Sequence, residues 1–276
     1  MTQRRPCVLV LAGHDPCGGA GIQADIEAIS AQGAHALTVI TALTVQDNER
    51  VYAVHPVEAS ILEAQIGALL ARFTMAAVKT GIVASARHAL LLADIIAELK
   101  RNQPDLPVIV DPVLGSGKGD RLSVDDAVTA LQPLLHSATL ITPNLPELAR
   151  LSGLSDSADS ANAAGADRQQ QLQNWMPAHN AHVLVKGGHS EEAMVRNGWY
   201  APGQWQSRRE WLWERLPGEF HGSGCTLAAA IAAQLALGRE METALELAQA
   251  YTQRSLQEAY AIAAGQKIPG RIKVSE

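Results

Sequence analysis

The chain predicts an α/β fold: a mainly parallel central sheet, helices on both faces, and a small antiparallel hairpin at one edge. Short apolar runs alternate with longer amphipathic stretches along most of the sequence, the pattern of strands that alternate with covering helices. Hydrophobic residues make up 47% of the 276 positions, enough to build a sizeable core. A Trp-rich segment with an Asn-Gly pair breaks the alternation late in the chain and reads as antiparallel edge strands.

The elements follow in order. Cys7–Ala12 reads as the first strand, and Gly21–Gln32 as the helix after a glycine-rich connection. Leu37–Leu43, rich in Thr, Val and Ile, is the second strand. Val57–Phe73 is a helix with Ile61, Leu62, Ile66, Leu69 and Leu70 on one face. Ala76–Thr80 is a short strand, Ala86–Lys100 an amphipathic helix, and Val108–Val110 a strand opened by Pro107. Val124–Leu135 is helical, and Ala138–Ile141 is a strand closed by Pro143, which cannot donate to a central ladder. Ser155–Ala166 is a surface loop that leads into a helix. His182–Lys186 is a buried strand. Glu191–Leu216 holds Trp199, Trp205, Trp211 and Trp213 and supplies one or two hairpins whose tryptophans pack the edge. A long helix over Met241–Ala263 ends the chain. No internal repeat and no linker interrupts this order, so residues 1–276 read as one domain.

Composition narrows the function. The net charge is −6 and no Lys/Arg-rich block occurs, which argues against nucleic-acid binding. The three cysteines, Cys7, Cys17 and Cys225, are widely spaced and form no C-x-x-C pair, which fits a reducing cytoplasm. Arg4 and Arg5 before Val8–Ala12 mimic a signal peptide, but the apolar run is short and breaks at Gly13-His14-Asp15. No stretch reads as a membrane span.

The most informative segment is His221-Gly222-Ser223-Gly224-Cys225-Thr226, which runs into the Ala-rich stretch Leu227–Ala233. Small residues before a strong helix aim successive backbone N–H groups at one spot beside the positive end of the helix dipole, a place that binds anions. The same position favours the thiolate of Cys225. A glycine-rich turn before a core helix is the plain alternative.

Other strand ends add to this. Gly13–Gly21 follows the first strand, and the lack of bulky side chains lets a ligand approach the backbone. Gly19-x-Gly21-x-x-Ala24 satisfies a dinucleotide fingerprint in form only: five residues separate Gly13 from Gly19, and no acid ends the second strand at the expected distance. Gly115-Ser116-Gly117-Lys118-Gly119 fails as a Walker loop, because position 112 is Pro and position 119 is Gly. It reads equally as a loop over a nucleotide or as plain surface. Asp111 follows Val108–Val110, Asn144-Leu145-Pro146-Glu147 follows the next strand, and Lys186-Gly187-Gly188 ends a third. Ligands of parallel sheets bind at such strand ends. Glu147 is a Mg²⁺ ligand, direct or through water, or else a first-turn acid in a helix capped by Asn144. An acid, an Asn/Glu pair and a Lys beside an anion-binding turn form a phosphoryl-transfer set.

Taken together, these motifs resemble the hydroxymethylpyrimidine/phosphomethylpyrimidine kinases of thiamin biosynthesis, within the ribokinase-like superfamily. The resemblance lies in Ala12–Asp25, Val39–Gln46, Asp111-Pro112-Val113, Ile141–Glu147, Val185–His189 and His221–Thr226, in that order. It implies a three-layer αβα ribokinase-like fold. It further implies that Gly13, Ala20, Asp25 and Gln46 line a pyrimidine site, with Gln46 on the aminopyrimidine edge and Ile82 and Val113 sandwiching the ring. By the same resemblance Asp111, Asn144 and Lys186 bind ATP, and Glu147 serves Mg²⁺. Gly222, Ser223 and Gly224 form the anion hole, and Cys225 stands near the hydroxymethyl group as the candidate base. The implied reactions are ATP-dependent phosphorylation of that alcohol and then of its monophosphate, by a cytoplasmic homodimer.

The chain departs from the pattern at four places. Glu219-Phe220 replace Asn-Thr before His221, and Cys17 replaces Ser. The C-terminal Gly-rich segment is reduced to Lys267–Arg271, and the Leu114–Asp120 loop is richer in glycine. Three other readings compete. A pyridoxal or pyridoxine kinase would handle a ring of similar size. A thiol hydrolase would pair Cys225 with His221, but their spacing on one turn is poor for that. A non-catalytic metabolite-binding protein would have no need of the Lys186, Glu147 and Cys225 set.

Overall fold

The computed structural model describes residues 4–116, 119–153, 164–190 and 192–272. Nine strands form one sheet: β1 (Cys7–His14), β2 (His35–Gln46), β3 (Val51–Pro56), β4 (Met75–Thr80), β5 (Val108–Val110), β6 (Leu140–Ile141), β7 (His182–Val185), β8 (Met194–Tyr200) and β9 (Arg209–Glu214). Their order is β3-β2-β1-β4-β5-β6-β7-β8-β9. The run from β2 to β7 is parallel, whereas β3, β8 and β9 each pair antiparallel to their neighbours.

Strand periodicity builds two cores, because successive side chains leave opposite faces. Leu9 and Leu11 of β1 point into one core with Leu92 and Ile96 of α3 (Ala86–Asn102) and Leu134 of α4 (Ala127–Ser137). Val8, Val10 and Ala12 point into the other, with Ile29 of α1 (Gly21–Ala31) and Ile231 of α7 (Ser223–Ala236). The first face also carries α2 (Ala59–Leu70), α5 (Leu145–Leu151) and α6 (Ala164–Trp175); α8 (Met241–Gln257) packs on α7. Each fully buried Leu or Ile contributes roughly 1.5–3 kcal/mol.

Local chemistry sets the helix starts. The Ser85 side chain accepts the His88 N–H of α3 at 3.2 Å, and the Asp126 carboxylate accepts the Thr129 N–H of α4 at 2.8 Å.

Four expectations need correction. The second strand continues to Gln46 and returns as β3; Asp47 Oδ1 accepts the Glu49 and Arg50 amides and closes the turn. Asn197-Gly198 is not a turn but the middle of β8. The Asn197 side chain accepts the Gly187 amide and donates to Gln249 Oε1, so its polarity serves packing against neighbouring elements. The β8–β9 connection lies at 201–208 instead. The last helix ends at Gln257 rather than Ala263, and the chain folds back so that Tyr260 pairs with Ile268 and Phe220 with Lys267. Finally, α4 starts at Ala127 rather than Val124, after its Asp126 cap. The expected loop at Ser155–Ala166 lies largely outside the described residues, as do Gly117 and Lys118. Trp199 and Trp211 are buried in the second core. Among the described residues, no helix is long and apolar enough to cross a membrane.

Candidate active site

The strand order switches direction at β1, with β2 on one side and β4 on the other, the place where parallel sheets receive ligands. There the carboxyl ends of the strands open onto a cleft of about 920 Å³. Gly13 and Gln46 come from the ends of β1 and β2, Ala20 from the loop before α1, and Ile82 and Val113 from the segments after β4 and β5. Ile82 lies against the backbone of Gly13, where an added Cβ would come within 3.2 Å of its Cδ1.

The other wall carries charge. Lys186 Nζ donates to Asp111 Oδ1 at 2.8 Å and lies 3.8 Å from Glu147 Oε2. Thr142 donates its hydroxyl to the same Asp111 oxygen at 3.0 Å. Burial disfavours the Asp111 carboxylate, but Lys186 and Lys79 outweigh it and hold the group below the usual carboxylate range. Burial pushes Glu147 up to about 7; Lys186 opposes this, and the negative Asp111 adds to it.

Glu147 also caps α5. Its Oε2 accepts the Asn144 amide at 2.7 Å, and Asn144 Oδ1 accepts the Glu147 amide at 2.8 Å. This is a capping box, so the plain reading of Glu147 is present in the fold. It does not compete with a role at the cleft, because the same side chain lines it.

The turn before α7 closes the site. Gly222 sits at φ 81, and a Cβ there would come within 2.0 Å of the Gly19 carbonyl. Only glycine fits both the left-handed backbone and the close approach. The first amides of α7 have no intrahelical carbonyl to donate to and form the positive end of its dipole. A Cβ on Gly224 would be 3.2 Å from Lys186 Nζ, so the ammonium and the turn meet.

Cys225 lines the cleft, and its environment reverses one expectation. Burial raises the thiol above its ordinary value. Lys79 and the Gly21 amide favour the thiolate, yet Asp111 and Asp25 disfavour it. Burial and the two carboxylates outweigh the groups that favour the thiolate. The sequence also placed Asp25 on the pyrimidine wall. Asp25 is instead fully buried behind the cleft, paired with Lys79 at 2.8 Å.

Sequence reasoning missed several residues. Lys79 is fully buried, and its ammonium is held charged against desolvation by Asp25, Cys225 and Asp111. Its signal was a lone cation inside an apolar strand. Arg271 is buried and donates to Thr226 Oγ1 at 2.8 Å, to Glu27 at 3.1 Å, and to the Gly19 carbonyl, which ties the C-terminal segment to both glycine turns. His221 donates toward Asp15 rather than Cys225, with Nε2 and Oδ2 3.0 Å apart, which removes the basis for a thiol hydrolase. Asp120 accepts from Arg50 and from the Val51 amide, so the Leu114–Asp120 loop is fastened to β3.

The model of the phosphomethylpyrimidine kinase family matches residues 15–269. A hydroxymethylpyrimidine/phosphomethylpyrimidine kinase from Mycobacterium tuberculosis is 36% identical over 263 residues, covering 94% of this chain and 91% of the relative. The thiamine biosynthesis multifunctional protein ThiED of Corynebacterium glutamicum is 35% identical over 260 residues; this chain spans 33% of its length. Among solved structures, a phosphomethylpyrimidine kinase from Clostridium difficile is 31% identical with a TM-score of 0.69, covering 91% of this chain and 100% of that one. The pyridoxal kinase of Staphylococcus aureus in complex with pyridoxal is 24% identical with a TM-score of 0.82, covering 98% and 94%. This second structural likeness speaks for the three-layer ribokinase-like fold alone.

Proposed function

This chain belongs to the phosphomethylpyrimidine kinase family, and we propose that it phosphorylates 4-amino-5-hydroxymethyl-2-methylpyrimidine with ATP, and then the resulting monophosphate, for thiamin biosynthesis. One observation carries this reading. The cleft joins a small apolar and amide-lined end, formed by Gly13, Ala20, Gln46, Ile82 and Val113, to a charged end formed by Asp111, Glu147, Lys186 and the Gly222–Cys225 turn.

The ring lies between Ile82 and Val113. Gln46 offers both a donor and an acceptor to the adjacent amino group and ring nitrogen. Lys186 and Asn144 hold the phosphates of ATP, and Asp111 orients Lys186. The hydroxymethyl oxygen forms a bond to the γ-phosphorus, the bond from that phosphorus to the β,γ-bridging oxygen breaks, and ADP leaves. The hydroxymethyl proton passes to the Cys225 thiolate. The free amides of the turn stabilise charge on the transferring group. In the second step a phosphate oxygen of the monophosphate is the nucleophile.

The donor set fits Mg²⁺. The Glu147 carboxylate that lines the cleft offers hard oxygen ligands, and a bound cation would favour the charged form that burial disfavours. Glu147 is the residue that holds it, directly or through water. When bound, Mg²⁺ neutralises charge on the ATP phosphates.

The protein works as a cytoplasmic homodimer of single-domain chains. Leu43 and Val45, on one face of β2, are 49% and 50% exposed, and Tyr52 of β3 is 67% exposed. A second copy covers this edge. Light scattering after gel filtration reads the mass, and Val45→Glu is expected to give a monomer.

ADP release with the pyrimidine alcohol, its monophosphate and pyridoxal tests the assignment. Turnover on both pyrimidines far above that on pyridoxal supports it. Turnover on pyridoxal alone, or on none, overturns it.

A further inference from the structure

A group of three unlike donors lies beside the phosphoryl-transfer set and has no part in it. Asp15 follows the end of β1, Cys17 lies two residues on, and His221 opens the turn before α7. Asp15 Oδ2 is 3.0 Å from His221 Nε2 and 3.4 Å from Cys17 Sγ. One ligand atom from each residue lies within 4.8 Å of the other two. In a tetrahedral zinc site with bonds of about 2.0–2.3 Å, ligand atoms are separated by about 3.3–3.8 Å. Shifts of a few tenths of an ångström bring the two short edges to that spacing.

We propose that Asp15, Cys17 and His221 form a three-ligand site for a transition-metal ion of the zinc class, with the fourth position open. Thiolate, imidazole and carboxylate together suit Zn²⁺ and Co²⁺ and do not suit Mg²⁺, which prefers oxygen alone. This separates the site chemically from the carboxylates at the ATP end of the cleft. The supporting shell is built. Asp15 Oδ1 accepts the Cys17 amide at 3.0 Å, and Oδ2 accepts the Ala20 amide at 2.7 Å, which fixes the carboxylate in place. His221 is held by its own amide, which donates to the Lys267 carbonyl at 2.9 Å.

The exchange balances. A divalent ion binds these three side chains as a carboxylate, a neutral imidazole and a thiolate, and any proton the imidazole or the thiol carries leaves to solvent. The result is neutral, with two anionic ligands and one dication, so no uncompensated charge is buried. The bound ion links the loop before α1 to the turn that starts α7.

The test is a Co²⁺ titration of the full chain, free of nucleotide and Mg²⁺. We expect a thiolate-to-cobalt absorption band that saturates at one ion per chain and is displaced by one equivalent of Zn²⁺. Calorimetry of Zn²⁺ binding in buffers of different ionisation enthalpy should show protons released on binding, fewer in Cys17→Ser than in the wild type. Cys17→Ser should lose the band, and Cys225→Ala should keep it. His221→Gln should weaken Zn²⁺ binding at least tenfold. Should Cys17→Ser fail to fold, as read by circular dichroism, Cys17→Ala and the His221→Gln affinity decide. No thiolate band in the wild type overturns the site, as does a band that survives in a folded Cys17 variant or one that disappears in Cys225→Ala.

Discussion

Lys79 Nζ and Asp25 Oδ2 stand 2.8 Å apart with both side chains fully excluded from solvent. Each charge is tolerable only because the other is there, and burial still pushes the Asp25 carboxyl up. Removing one partner leaves an uncompensated buried charge, at a cost of about 3–5 kcal/mol. Lys79→Met should therefore lower stability by that amount in urea unfolding. The double variant Lys79→Met/Asp25→Leu should recover most of it. A double variant as unstable as the sum of the two single variants would contradict this account. Because Asp25 lies behind the cleft wall, the Asp25→Leu half of the pair should change stability more than pyrimidine KM.

On the proposed reading, Gln46 recognises the polar edge of the ring. Gln46→Leu keeps the size of the side chain but leaves the polar edge of the ring unpaired, at about 1–3 kcal/mol. The pyrimidine Kd should rise roughly tenfold or more, with ATP binding nearly unchanged, as measured by calorimetry. An unaltered pyrimidine Kd would remove Gln46 from the site.

Glu147 caps α5 and, on the proposed reading, also holds Mg²⁺. Glu147→Gln retains an acceptor for the Asn144 amide and removes the charge, so the α5 cap should survive. We expect turnover to drop and to recover in part at high Mg²⁺. The melting temperature of the metal-free protein should not fall, since burial disfavours the carboxylate that is removed. A lower melting temperature with an unchanged Mg²⁺ dependence would assign Glu147 to capping alone.

Much of the frame is legible in the sequence because the parallel strands are apolar on both faces. Val8–Leu11 and Val108–Val110 could hardly fold otherwise. The half-exposed β3 gives no such signal; its alternation is weak, and its identity depends on pairing with the end of β2. Asn197-Gly198 misleads because its turn chemistry is overridden by tertiary hydrogen bonds to Gly187 and Gln249. At the site, the strand-end residues could be placed from order alone. The partners of His221 and Arg271 could not, since Asp15 and Gly19 lie more than 200 positions away in sequence. The raised Cys225 thiol is also out of reach of the sequence, because it depends on burial and on which charges gather around it, Asp111 and Asp25 against Lys79.

Cys225 should behave as a base that is scarce at neutral pH. Burial disfavours the thiolate, so its population grows as pH rises, and kcat should climb through the alkaline range. Cys225→Ala should cost about 10²–10⁴-fold in kcat with ATP affinity intact. Cys225→Asp should restore part of the activity and flatten the pH dependence near neutrality. Near-normal turnover in both variants would make Cys225 a packing residue.

Phosphorus NMR of the reaction products tests the central claim most directly. With ATP, Mg²⁺ and the pyrimidine alcohol, we predict a monophosphate ester signal that grows first and then gives way to a diphosphate pair, with ADP formed in both stages. No ester signal from a folded sample, or transfer to pyridoxal with none to the pyrimidine, would contradict the account.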